Sequence, residues 1–145
     1  MTRELLLAAV LASATASAVQ AQEFNFIETR QAGQDLLSGN FAGIRAVVAA
    51  KGDVTKLEDP AKAMARWMKQ FPTTFPPGSD KGRPTRALPA VWSDPAGFHK
   101  AADDFVEAAE KLTQLAKTGD AEAVAAQVKV VGDACAACHR TYRQR

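Results

Sequence analysis

The sequence predicts an all-α protein, an antiparallel four-helix bundle with a long proline-rich crossover between its second and third helices. Three observations predict it. Apolar residues recur at spacings of three and four along residues 22–145, no run alternates as a half-buried strand would, and the periodicity falls into four segments separated by clear stop signals.

Residues 1–21 stand apart from that pattern. "MTRELLLAAVLASATASAVQA" has a charged start, an apolar run from Leu5 to Ala12 and a small-residue stretch ending at Ala21, which together read as a secretory signal peptide. The apolar run is too short for a membrane span, which takes about 20 residues. The mature chain is therefore expected to begin near Gln22, with a cut after Ala18 as the alternative. Residues 22–145 suit one domain with one core. The formal charge is +2, unchanged when Arg3 and Glu4 are removed, and no basic run with interleaved aromatics occurs. Nucleic-acid and membrane partners are not expected.

The first helix runs from about Phe24 to Ala50, with an inward stripe of Ile27, Arg30, Gln34, Leu37, Phe41, Ile44 and Val48, and ends at Lys51-Gly52-Asp53. Two stripe positions, Arg30 and Gln34, are polar. A weaker second stripe of Leu36, Gly43, Val47 and Ala50 suits burial against another copy of the same helix, so a homodimer through this helix is expected. The second helix opens with Asp59 as cap and Pro60 in the first turn, presents Pro60, Met64, Trp67 and Phe71, and stops at Pro72.

Between it and the third helix lies "PTTFPPGSDKGRPTRALPAVWS", which holds five of the seven prolines. A loop of this length is uncommon in a compact domain unless it is a bundle crossover, and "RALPAVW" suggests a short helix within it. The third helix repeats the cap-then-proline device at Asp94 and Pro95, runs through Phe98, Ala101, Phe105, Ala108, Leu112 and Leu115, and stops at Gly119. The fourth starts after Asp120 and presents Ala121, Val124, Val128, Val131, Cys135, Cys138 and Tyr142.

The chemistry is concentrated at the end, in "GDACAACHRTYRQR". Residues three and four apart share a helix face, so Cys135, Cys138 and His139 project from one patch that the stripe turns inward. Cys-x-x-Cys-His is the sequence cue for covalent c-type haem attachment: two thiols add to the two vinyl groups, and the imidazole of His139 reaches the iron. The rivals are weaker. A thioredoxin-like redox pair needs a βαβ context. A zinc site of Cys135, Cys138, His139 and His99 asks consecutive residues to share one tetrahedral ion. A merely apolar cysteine pair leaves the coincidence of spacing and export unexplained. His99, at the start of the third helix, reads as exposed.

At these residues the chain resembles the cytochrome c' (cytochrome c prime) family. The resemblance covers nearly all of residues 22–145 and is carried by "TRQAG", "FPTTFPPGS", "LPAVWSDPAGF" and "GDACAACHRTYR". It implies a periplasmic, usually homodimeric bundle holding one haem c per chain, with five-coordinate, high-spin iron whose sixth position faces the first helix. It implies binding of diatomic gases such as nitric oxide, electron transfer with an unidentified redox partner protein, and no dedicated catalysis. Carried over, Cys135 and Cys138 match the thioether cysteines and His139 the axial ligand. Arg30 matches a residue near a haem propionate, Gln31 lies at the haem edge, and Arg143 matches a basic residue beside the proximal pocket.

One position departs from the family. Gln34 stands where members commonly carry leucine, phenylalanine or methionine on the distal side. Its amide offers two donors and an acceptor, either to a propionate, Arg30 or water, or to the iron and its ligand. Gly33 is expected to leave room for the haem ring. A low-spin electron carrier is the alternative, requiring Met64, Gln34 or a lysine at the iron. A peroxidase or nitric oxide reductase needs an acid–base pair that the first-helix stripe does not supply.

Overall fold

The computed structural model describes residues 24–145; the expected signal peptide, residues 1–21, and the start of the mature chain lie outside the described residues. Five helices follow one another: α1 (Phe26–Ala49), α2 (Glu58–Gln70), the single turn α3 (Ala90–Ser93), α4 (Pro95–Thr118) and α5 (Ala121–Tyr142). α1, α2, α4 and α5 form the antiparallel bundle, and no strand occurs among the described residues beyond one isolated bridge.

The termini form where local chemistry places them. Asn25 caps α1 through Glu28 N–H, Asp94 caps α4 through Gly97 N–H, and Asp120 caps α5 through Ala123 N–H. Gly119 closes α4 with φ 73°, a left-handed value that glycine adopts without a Cβ penalty. α2 starts differently from the expectation. A 3-10 turn over Val54–Leu57, itself capped by Asp53, feeds directly into Glu58, so Asp59 lies inside the first turn and caps nothing. The buried face of α2 is Ala61, Met64, Ala65 and Met68, while Pro60 and Trp67 are only half-buried.

The core runs the length of the bundle, with Ile44, Met64, Leu112, Val124 and Val131 fully enclosed. Near the crossover it becomes aromatic. Phe71, Phe75, Phe98 and Tyr142 meet edge-to-face in sequence, at centroid distances of 4.9, 5.0 and 5.2 Å. Such pairs contribute about 0.5–1.5 kcal/mol each beyond the area they bury.

The crossover is tied down rather than loose. Arg30, 3% exposed, reaches from α1 into the loop. Its guanidinium donates to Thr74 O, to Ser79 Oγ and O, and to Thr85 Oγ1, and it stacks 4.4 Å above the Phe75 ring. At the other end the chain terminus zips onto the loop: Leu88 N–H donates to Tyr142 O at 3.0 Å and Gln144 N–H to Arg86 O at 2.8 Å. No helix among the described residues is long and apolar enough to cross a membrane.

Candidate functional site

α5 lies mainly against α4, and α1 against α2. Between α1 and α5 remains a cavity of about 740 Å³, within the range of roughly 300–1,000 Å³ typical of ligand sites. One wall comes from α5 and carries Cys135, Cys138 and His139. The facing wall comes from α1 and carries Gln34, Leu37 and Phe41, with Met68 of α2 beside them. Phe71, Phe75, Val91, Phe98 and Phe105 make the floor apolar, while Arg45, Arg86 and Arg143 bring positive charge.

Both cysteines are free and half-buried. Burial pushes both thiols up, and Cys138, which also faces Cys135, rises to about 11, so both are protonated at neutral pH. His139 is held below the ordinary histidine value, first by burial and then by the positive charges of Arg143 and Arg86. The neutral imidazole is the form that ligates a metal.

The polar residues of α1 are held in three different ways. Arg30 is committed to the crossover, and burial lowers its pKa despite the opposing charge of Asp80. Gln31 is exposed and donates to Pro84 O at 3.1 Å. Gln34 donates through Nε2 to the Met68 sulfur at 3.5 Å.

A family model described as Cytochrome C' matches residues 25–143. The chain belongs to the cytochrome c' family. It is similar to cytochrome c' of Rubrivivax gelatinosus, 39% identical over 121 residues that cover 82% of this chain and 94% of that protein. It also resembles the solved structure of a cytochrome c' with an unusual ligand-controlled dimer dissociation. That likeness has a TM-score of 0.78 at 34% identity, covering 83% of this chain and 95% of that one. A nitric oxide complex of a cytochrome c prime mutant from Alcaligenes xylosoxidans matches with TM-score 0.74 at 27% identity, over 83% and 94% of the two chains.

Cytochromes c' bind haem c, one per chain. The cavity has the chemistry that such a group requires: apolar and aromatic surface for a flat macrocycle, two thiols and an imidazole on one wall, and arginines for carboxylates. His99 does not line the cavity with Cys135, Cys138 and His139. His99 is exposed, as expected.

The cavity lining includes Cys135, Cys138, His139, Arg30, Gln31, Gln34 and Arg143, but not Met64, the methionine named for a low-spin iron, which is fully buried in the core. Gly33 does not face the cavity as expected. A Cβ there would run into the indole of Trp67, so its missing side chain admits α2 and not the haem ring. Met68, Arg45 and Arg86 also line the cavity. Met68 follows Met64 by four residues and so carried a helical signal; Arg86, on the crossover, carried none.

Proposed function

We propose that the protein is a periplasmic gas-binding and electron-transfer cytochrome whose haem c is fixed by thioether bonds from Cys135 and Cys138 and ligated by His139. The observation that carries this reading is the cavity between α1 and α5, with all three α5 groups on one wall and the stripe of α1 on the other. Cys135 and Cys138 would hold the group through thioether bonds, each S–H adding across one vinyl group with no net change in oxidation state. The bound iron supplies one-electron chemistry and a coordination position for a diatomic ligand.

The rest is done by the chain. α5 holds both thiols and the imidazole in register, and the aromatic floor excludes water. Arg143 and Arg86, both in the cavity lining, would supply positive charge to the propionates or to the proximal side. Gln34, on the α1 wall, would present its amide to a ligand such as nitric oxide. In this reading the iron would be five-coordinate and high-spin; α1 brings one carboxylate, Asp35, to the cavity but no histidine that would complete the acid–base pair a peroxidase would use. The exposed face of α1, with Leu36 73% exposed and open space at Gly43, is the homodimer surface.

The presence of Met68 in the cavity favours one second reading, a six-coordinate low-spin carrier with the Met68 thioether on the iron. Attachment is tested by producing the Cys135→Ala/Cys138→Ala variant alongside the parent in a host that matures c-type cytochromes. The parent should keep haem through denaturing electrophoresis and the variant should lose it; haem retained by the variant contradicts the assignment.

A further inference from the structure

Gln34 enters the cavity from α1 and Met68 from α2, and the two are joined by the donation from Gln34 Nε2 to Met68 Sδ at 3.5 Å. A primary amide can present either its nitrogen or its oxygen in a given direction, because the two ends are nearly the same in shape. A thioether is an acceptor only. It therefore selects one orientation, with the nitrogen toward sulfur and Oε1 turned away from it. Met68 is 6% exposed and packed in the buried face of α2, so the acceptor is itself fixed. In a partly dry cavity even a weak acceptor has leverage, since water competes less for the donor.

We propose that Met68 is a positioning residue for diatomic-ligand binding: it holds the Gln34 amide in one orientation and thereby sets the polarity that a bound gas meets. The proposal rests on the reading of Gln34 as the distal group. Met68 in this role is not an iron ligand. Its sulfur acts on the bound gas only through the amide it orients.

The test uses the ferrous carbon monoxide complex of the intact holoprotein and reads the infrared C–O stretch, whose frequency and width report the local field. Four proteins are compared: the parent, Gln34→Leu, Met68→Leu and the double variant. Leucine keeps the volume of methionine closely enough that such swaps usually cost less than about 1.5 kcal/mol, so Met68→Leu is expected to fold. Gln34→Leu should shift the band. Met68→Leu should broaden it or split it in two, as the amide samples both orientations, and should change nothing further once Gln34 is leucine. A parent-like band in Met68→Leu, or an equal change with and without Gln34, overturns the proposal. A Gln34→Leu band identical to the parent's overturns the distal reading beneath it, which separates the two failures.

Discussion

Tyr142 ends α5 with its hydroxyl donating to Asp94 Oδ2 at 2.8 Å, while the other oxygen of the same carboxylate caps α4 at Gly97. The bond works on both partners: it is the first cause holding the Asp94 carboxyl below its ordinary value, and it helps push the Tyr142 phenol up to about 12. An unfolded tyrosine titrates near 10. The tyrosine's contribution to stability is thus fully present below about pH 10 and lost as pH rises through about 12. The thermal midpoint should fall across that interval, and Tyr142→Phe, measured at the same pH values, should remove that part of the decline. The Asp94 contribution runs the other way, present above the ordinary carboxylate range near 4 and lost in more acidic solution. Gly33 makes a second prediction at this scale. Helix propensity alone would reward Gly33→Ala by about 1 kcal/mol, but overpacking costs about 1–3 kcal/mol and a Cβ there meets the Trp67 indole. Gly33→Ala should therefore lower the thermal midpoint, and Trp67→Phe in that background should recover part of the loss by shrinking the ring.

Among the elements, the crossover depends most on distant partners. Arg30 joins α1 to loop residues 44 to 55 positions away, and Tyr142 and Gln144 close the far end with backbone bonds. Arg30→Met keeps the stem and removes the donors to Thr74 O and Ser79 O, so denaturant unfolding should register a loss of about 3 kcal/mol. These elements also divide what was legible in the sequence from what was not. α4 could be read end to end, because Asp94, Pro95 and Gly119 act on their immediate neighbours. The start of α2 could not, since the 3-10 turn over Val54–Leu57 looks like loop until its apolar residues, Val54 and Leu57, find the core. The packed face of α2 is wide enough to take Met64, Ala65 and Met68 together, so a stripe through Trp67 marks only one edge of it. The hold on the crossover had no local signature at all.

At the scale of the whole molecule, the site was legible at its α5 wall, where Cys135, Cys138 and His139 follow one another on one helix face. It was legible only in part elsewhere, because Arg86 and Arg45 reach the cavity through the tertiary fold. The proposed assembly makes its own prediction. Burying Leu36 in a dimer is worth about 2 kcal/mol, so Leu36→Glu should weaken self-association by at least roughly 30-fold in sedimentation equilibrium while leaving the monomer folded. The central claim is that this bundle holds a covalent haem with His139 on one side and an open position facing Gln34 on the other. The most direct test is one optical spectrum of the purified protein, oxidised and reduced, with and without carbon monoxide. The account predicts a high-spin spectrum that shifts when carbon monoxide is added to the reduced protein; a six-coordinate low-spin spectrum that carbon monoxide leaves unchanged would contradict it.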